Sequence, residues 1–271
     1  MSLRINFNAA AANAHRQLLS TDNAVNSSIE KLSSGYRINK AADDPAGLAI
    51  SENLRSQISG TAQAVKNSSD AVNMIKTAEG ALAEVHSLLR QMRDMAVHAA
   101  STGSNDTTAI TADQTQVTAT LEALDRIATN TQYGNKMLLD GTATGLVFQV
   151  GANSGQTMSV NIDGTSSSTL GIASINVSTD APAAITALDA AITSVSTLRA
   201  ALGSSQKTLE STINSLSIAK ENLSASESTI RDTDMAQEMV TFTRNQILMQ
   251  SGISMLAQAN QSPQALLKLL G

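Results

Sequence analysis

The stretch "LDAAITSVSTLRAALGSSQKTLESTINSLSIAKENLSASESTI", residues 188 to 230, carries an apolar side chain at every seventh position. These positions are Leu188, Val195, Leu202, Leu209, Leu216, Leu223 and Ile230. A heptad repeat sustained over this length is typical of a helix that packs against partner helices along one narrow stripe. Pro182 suits the first turn of a helix, where its missing N–H leaves no bond unmade. We therefore predict one long helix from Pro182 to Asp232.

The N-terminal half of the chain contains candidate partner helices. Asp44 followed by Pro45 is a helix-start signal, and we predict a helix from there to about Ala100. Its apolar heptads change phase by three residues, which predicts a local change in supercoil. The first phase is Ile58, Val65 and Val72, and the second is Ile75, Leu82 and Leu89. A turn over 102–108 and a shorter helix over 112–130 follow.

The middle of the chain changes from helical to strand periodicity. Leu146 to Val150 is a short apolar run, and Met158, Val160 and Ile162 alternate with polar residues. This period-two pattern predicts a β-hairpin within a region rich in Gly, Ser and Thr. Aromatic residues make up only 2% of the chain, which argues against a broad core. We expect a mainly α protein, an elongated helical bundle or coiled coil of long helices from both ends, with a small β-hairpin region in the middle.

Both ends of the chain carry apolar residues seven apart, and we predict that they form a polymerisation seam. Because these ends are only weakly apolar, we expect them to adhere mainly to other chains. The predicted seam consists of Leu18, Val25, Ile29, Leu32, Met235, Met239, Phe242, Met249, Ile253 and Leu256.

Several function classes find no support in the composition. The net charge is −5 and no run of Lys or Arg is long enough to follow a phosphate backbone, so we expect no nucleic-acid partner. The absence of cysteine excludes disulfides and thiolate metal sites. The three histidines lie far apart and no His-Glu-x-x-His or Gly-rich nucleotide motif occurs, so we expect no enzyme activity, metal or cofactor. We also expect no membrane insertion and no cleaved signal peptide.

The segment "SSGYRINKAADDPAG", residues 33 to 47, concentrates the residues that could hold a phosphate or a metal. Asp43 and Asp44 could form a carboxylate pair for acid–base chemistry. Their position before Pro45 favours helix capping instead, since an aspartate oxygen there accepts unpaired helix N–H groups. We interpret the segment as an ordered connector. Its candidate contact residues are Tyr36, Arg37, Asn39, Lys40, Asp43 and Asp44.

Two long motifs resemble the signatures of bacterial flagellins, the subunits of the flagellar filament. "IEKLSSGYRINKAADDPAGLAI" (29–50), followed by "AEGAL" (78–82), is similar to the N-terminal signature. "ESTIRDTDMAQEMVTFTRNQILMQSGISMLAQANQSPQALLKLLG" (227–271) is similar to the C-terminal one. The resemblance implies terminal helices (1–43 with 234–271) that line an inner tube, a helical bundle (44–138 with 180–233) and a small β region (139–179). The short link after the hairpin implies that large variable outer domains are absent.

The resemblance also implies a mechanism and partners. The subunit would be exported unfolded through the flagellar secretion channel, fold at the distal tip and polymerise with itself outside the cell, giving swimming motility. Expected partners are a flagellar secretion chaperone at the C-terminal segment, the filament cap and the hook-associated proteins. The alternatives are a hook–filament junction or other axial protein, a flagellin-like enzyme with a metallopeptidase insert, and a coiled-coil protein injected by a related secretion system.

One segment resembles the helix that a Toll-like innate receptor recognises in some flagellins, where it reads Gln-Arg-x-Arg-Glu-Leu. In this chain Arg90 and Gln91 stand in the reverse order, Asp94 takes the place of the glutamate, and Met95 takes the place of the leucine. Because a displaced guanidinium loses its directional hydrogen bonds, we expect weakened receptor recognition. An alternative is that these arginines pack against neighbouring subunits. The segment comprises Arg90, Gln91, Arg93, Asp94 and Met95, together with Gln116, which stands where some recognised members carry glutamate.

Overall fold

The computed structural model describes residues 7–270, and the side chains of residues 7–261. Five helices occur in this range: α1 (Ala9–Ser34), α2 (Pro45–Ala100), α3 (Thr107–Asn130), α4 (Ala181–Arg231) and α5 (Met235–Leu270). Two antiparallel pairs of strands lie between α3 and α4: β1 (Gln132–Tyr133) with β2 (Lys136–Met137), and β3 (Leu146–Gln149) with β4 (Thr157–Val160). The mainly α fold with a small β region is therefore confirmed. Residues 1–6 and 271 of the predicted terminal domain lie outside the described residues.

The chain divides into two compact units. The first comprises the residues up to Ser56 together with those from Asn222 onward, and the second comprises Gln57–Glu221. Helices α2 and α4 contribute residues to both units, because each unit boundary falls within one of them.

The core of the second unit is built from the predicted heptads. Leu82 and Leu89 of α2, Leu124 of α3 and Leu188 and Leu202 of α4 are almost fully buried. Burial of such a side chain contributes about 1.5–3 kcal/mol relative to exposure. Helix α4 contains an 18-residue window with a mean hydropathy of 1.3, sufficient by length and composition alone to cross a membrane. A buried core helix passes the same test, and the Leu188–Leu202 face of α4 lies in this core.

The predicted change of heptad phase in α2 is wrong. The buried positions continue without interruption through Thr61, Ala64, Ser68, Ala71, Ile75, Ala78 and Leu82. Ile58 and Val65 are only half-buried. The stripe was missed because its early positions are small or carry a hydroxyl group. Ser68 satisfies its hydroxyl inside its own helix by donating to the Ala64 carbonyl at 2.8 Å, which removes the cost of burying it.

Helix α3 begins five residues earlier than the predicted Ala112. The Asp106 carboxylate accepts a hydrogen bond from the Ala109 N–H at 2.8 Å, so this aspartate is the N-cap. The Gln114 side chain further ties α3 to the loop before α4, because its amide oxygen accepts from the Val177 N–H at 2.7 Å. The early start follows from a cap inside the segment that was predicted to be a turn.

The β region extends beyond the predicted hairpin. Strand β3 pairs with β4 as expected, and the chains beyond them continue side by side through hydrogen bonds from Ile162 N to Ala143 O and from Thr165 N to Leu139 O. At this crossing a Cβ atom on Gly164 would lie 3.0 Å from the backbone of Gly141. Two glycines therefore allow a backbone approach that larger residues would block.

Candidate polymerisation surface and connector

Helices α1 and α5 pack against each other as an antiparallel pair within the first unit. Asn8 caps α1 by accepting from the Ala11 N–H, and its side-chain amide donates to the Ala259 carbonyl of α5 at 2.8 Å. Further along, a Cβ atom on Gly252 would lie 3.1 Å from Cδ1 of Leu18. These two contacts fix the register of the pair.

The seam between α1 and α5 contains both large and small residues. On α1, Val25 is buried and Leu18 and Leu32 are half-buried, as are Phe242, Met249 and Leu256 on α5. Leu18 lies against Gly252, where the absence of a side chain allows the two helices to approach closely. Small residues are also covered on α1, where Thr21 and Ser28 are buried and Ala14 is half-buried.

Four residues of the predicted seam lie outside the contact between α1 and α5. Their exposed fractions are 48% for Ile29, 46% for Met235, 49% for Met239 and 55% for Ile253. Thr21 and Ser28 of α1 are buried as well, and Asn245 and Gly252 of α5 are half-buried. The predicted polymerisation seam therefore contains residues that the α1–α5 pair covers and residues that it leaves exposed.

The outer faces of the same helices carry an unusual amount of apolar surface. Besides the four residues above, the exposed large apolar side chains of the pair among residues 9–261 are Leu19, Val240, Ile247, Leu248 and Met255. An apolar surface of this kind, on a helix already packed along one side, is typical of a protein–protein contact. Helix α5 is thus apolar on its seam and on both flanks of that seam.

The connector crosses the segment between α4 and α5. Gly35 ends α1 in the left-handed region with φ 75°, a conformation that favours glycine. The Arg37 N–H donates to the Arg231 carbonyl at 2.7 Å, and the Thr233 N–H donates to the Gly35 carbonyl at 3.0 Å. Arg37 also donates from Nη2 to the Ile230 carbonyl at 2.6 Å. The predicted connector is therefore an ordered crossing of two chain segments.

A tight turn follows the crossing. The Asp43 carboxylate accepts from the backbone N–H groups of Lys40 at 2.8 Å and Asn39 at 3.0 Å. These two donors hold the pKa of Asp43 below its ordinary value. Lys40 pairs with Glu30 of α1 at 2.5 Å, which raises the pKa of the Lys40 ammonium group. Asn39 donates to the Ser34 hydroxyl at 2.9 Å, so the turn is tied back to the end of α1.

Asp44 caps α2, as its position before Pro45 predicted. Its Oδ1 atom accepts from the Gly47 N–H at 2.9 Å. A Cβ atom on Gly47 would collide with the Asp44 carboxylate and would lie 2.7 Å from Cδ1 of the buried Ile38. Asp44 and Asp43 hold backbone donors of separate turns rather than acting together as an acid–base pair. Among the side chains of residues 7–261, no group of three His, Asp or Glu residues could hold a metal ion.

Two residues outside the connector, Arg231 and Glu52, complete its contacts without any signal in the sequence. Arg231 is the last residue of α4, and its Nη1 atom lies 2.6 Å from Oε1 of Glu52 on α2. Neither residue belongs to an apolar repeat or a cap, so no sequence signal indicated their pairing across 179 positions.

The segment that resembles a receptor-recognised helix lies on α2, with Gln116 on α3. Arg90, Gln91, Asp94 and Gln116 are exposed, and Met95 is half-buried. Arg93 pairs with Asp189 of α4 at 2.6 Å, which raises the pKa of its guanidinium. Arg93 is therefore already engaged within its own subunit.

Comparison with known proteins decides the family. The model of the bacterial flagellin N-terminal helical region matches residues 5–144, and that of the C-terminal helical region matches residues 185–270. This chain belongs to the bacterial flagellin family. Flagellins are structural proteins of the extracellular flagellar filament, and the expected class of structural filament subunit is thereby confirmed.

Flagellins of several bacteria match almost the whole chain. The flagellin of Bacillus subtilis is 45% identical over 99% of this chain and 100% of its own length. The flagellin of Halalkalibacterium halodurans is 47% identical over 98% and 99%, and flagellin FlaB1 of Treponema pallidum is 41% identical over the same shares. The crystal structure of Bacillus cereus flagellin superposes with a TM-score of 0.51 at 29% identity, covering 56% of this chain and 88% of that one. In the present chain only residues 161–180 lie between β4 and α4, so no large outer domain intervenes there.

Proposed function

We propose that this flagellin polymerises through the outer faces of α1 and α5, which pack against the same helices of further copies. The observation that carries the proposal is the exposed apolar surface of Ile29, Met239 and Ile253, which the antiparallel pair leaves uncovered. A second copy offers equally apolar helices, and their burial would supply a favourable free energy of association.

The proposal assigns separate tasks to three parts of the chain. The terminal helices (1–43 with 234–271) would form the inner tube, and the connector 33–47 would join them to the bundle (44–138 with 180–233). The β region (139–179) would complete the bundle. The connector contacts of Tyr36, Arg37, Asn39 and Lys40 support an ordered joint, because each makes a defined hydrogen bond, ion pair or backbone bridge.

Deletion of residues 234–271 tests this assignment. The truncated chain should remain soluble, retain the helical signal and cooperative unfolding of the second unit, and form no filaments under conditions in which the full chain does. Electron microscopy and sedimentation measure assembly, and circular dichroism measures the fold. Long filaments grown from the truncated chain would contradict the proposal. Micrometre-long tubes from the purified full chain would also distinguish a filament subunit from a hook–filament junction protein.

We further propose export in an unfolded state and protection of α5 by a flagellar secretion chaperone. The apolar residues on several sides of α5, including Met239, Phe242, Met249 and Ile253, would otherwise be exposed before assembly. A chaperone that binds the full chain and not the chain lacking 234–271, measured by calorimetry, would support this proposal. Equal binding to both would contradict it. The filament cap and the hook-associated proteins are the further partners in this scheme.

Recognition by a Toll-like receptor is proposed to be weak. Arg93 is held by Asp189, and the neighbouring Arg90 and Gln91 stand in exchanged order relative to the recognised pattern. The double substitution Arg90→Gln with Gln91→Arg should increase the response of receptor-expressing reporter cells. A wild-type response equal to that of a strongly recognised flagellin would refute the proposal.

A further inference from the structure

The side chain of Arg231 joins three parts of the chain. Its Nη1 atom lies 2.6 Å from Oε1 of Glu52 on α2, and its guanidinium lies 4.9 Å from the centre of the Tyr36 ring in the connector. Its own backbone carbonyl accepts from the Arg37 N–H at 2.7 Å. The end of α4, the start of α2 and the connector therefore meet at one residue, all within the first unit.

The chemistry of this position requires arginine. A planar guanidinium can stack on an aromatic ring while an N–H at its edge bonds to a carboxylate, whereas an ammonium group is a point charge that does not stack. The Arg231 side chain is only 12% exposed, and the Glu52 side chain is 53% exposed. The hydrogen bond from Arg231 is the main reason why the pKa of Glu52 lies below its ordinary value.

The position also carries a cost that a purely stabilising contact would avoid. The Nε atom of Arg231 is buried without a hydrogen-bond partner among the described residues. An unpaired buried donor is unfavourable, and replacing a buried ion by an apolar residue is often neutral or stabilising. Arg231 leaves its Nε atom unpaired and still contacts Glu52, Tyr36 and the backbone of Arg37. We therefore attribute its presence to the geometry that these contacts impose rather than to stability alone.

We propose that Arg231 is the positioning residue of the connector. It holds the crossing of residues 35–37 with 231–233 in one geometry, so that α1 and α5 run from it as one antiparallel pair in the polymer. This proposal rests on the proposed polymerisation, because the effect of Arg231 is measured on the assembly of the subunits. Because Tyr36 and Glu52 come from the N-terminal part of the chain and Arg231 from the C-terminal part, the clamp of these three residues closes only when both parts have come together.

Arg55 provides a matched control. Its Nη1 atom lies 3.2 Å from the same Oε1 atom of Glu52, but its side chain is 53% exposed. The cation–π pairing found at Tyr36 involves Arg231 and not Arg55. Loss of Arg55 therefore removes one charge beside Glu52 without opening the clamp.

The chain offers a local reporter for the experiment. It contains two tyrosines and no tryptophan, so Tyr133→Phe leaves Tyr36 as the only tyrosine fluorophore. Three variants are made in this background: Arg231→Gln, Arg231→Lys and Arg55→Gln. Tyr36 fluorescence reports on the clamp, circular dichroism on the fold, and the subunit concentration needed for polymerisation on assembly. Arg231→Gln should change the Tyr36 emission and raise that concentration by about tenfold, which corresponds to roughly 1.4 kcal/mol.

Arg231→Lys should have an intermediate effect, since it keeps the charge and loses the stacking, and Arg55→Gln should change the concentration less than about twofold. Adding Tyr36→Leu to Arg231→Gln should have less effect than the two single changes combined.

Equal effects of Arg231→Gln and Arg55→Gln, or additive effects of Tyr36→Leu and Arg231→Gln, would overturn the proposal. If the Tyr133→Phe parent does not polymerise but wild type does, the wild-type background replaces it. If wild type itself does not polymerise, the proposed function fails and the clamp proposal fails with it, whereas equal effects of the two arginine substitutions in a polymerising wild type would count against the clamp alone.

Discussion

The bundle of the second unit and the α1–α5 pair of the first are both organised by heptads, but they bury their apolar residues differently. In the bundle, Leu89 and Leu188 are fully buried within the chain. In the pair, Phe242 and Met249 reach only half-burial, and large residues such as Ile253 remain exposed. The bundle is a completed core, whereas the pair leaves much of its apolar surface exposed in the subunit.

The largest effect that separates the two regions should come from truncating their buried leucines. Leu89→Ala removes a fully buried side chain and should lower the free energy of unfolding of the second unit by about 2–5 kcal/mol. Leu256→Ala removes a half-buried one and should cost the isolated subunit clearly less. Urea unfolding followed by circular dichroism measures both. Equal losses would show that the pair is as complete a core as the bundle.

The second prediction concerns the uncovered face of α5. Ile253 is 55% exposed, so Ile253→Asn should leave the unfolding of the subunit nearly unchanged. If the residue becomes buried on assembly, the loss of roughly 1.5–3 kcal/mol should raise the concentration needed for polymerisation by about tenfold or more. Ser254→Asn, at the exposed neighbouring position, is the control for helix propensity. The same shift in both variants would mean that Ile253 does not enter an interface.

A smaller effect should distinguish two helical glycines. A Cβ atom on Gly203 of α4 meets nothing within 4 Å, so Gly203→Ala should stabilise the second unit by about 0.5–1 kcal/mol. Gly252→Ala should gain less, because its Cβ atom would lie 3.1 Å from Cδ1 of Leu18 and that side chain must shift. Urea midpoints of the two variants measure the difference. An equal gain at both positions would show that the α1–α5 seam tolerates a larger residue at Gly252.

The smallest predicted effect is a pH dependence of the bundle. Burial, and then the charges of Arg90 and Arg199, hold the pKa of His86 below its ordinary value of 6.5. The unfolded chain therefore binds this proton more readily, and stability should be complete above the ordinary pKa and decrease as the pH falls below it. His86→Gln should flatten this dependence between about pH 7.5 and about pH 5.5. An unchanged slope in thermal unfolding would exclude His86 as its source.

Features that depend on residues close in sequence were predicted well. The start of α2 at Pro45, its end at Ala100 and the course of α4 follow from capping residues and from repeated large apolar side chains. Strands β3 and β4 follow from alternation. The differences also have local causes. Strands β1 and β2 have two residues each, too few for a periodic signal. Asp106 lies within a turn-like segment, yet it caps α3.

No signal in the sequence indicated which residues of the predicted polymerisation seam are covered within the subunit. Apolar spacing grouped Leu18, Val25 and Phe242, which the α1–α5 pair covers at least in part, with Ile29 and Met239, which remain exposed. Thr21 was overlooked because a hydroxyl group suggests a solvent-facing position. In the structure it donates to the Gln17 carbonyl at 2.9 Å, which satisfies the hydroxyl and allows burial.

Long helices and a small β-hairpin region follow from local sequence signals, because heptads, caps and turns act over a few residues. The two terminal motifs of the sequence also determined the flagellin family. Which side of α1 and α5 is covered, and which is left exposed, depends on packing between distant segments, because the two helices approach closely at Gly252. The tertiary structure also decided that Arg231 meets Tyr36 and Glu52, since contacts between residues so distant in the chain exist only after both ends of the chain have folded together.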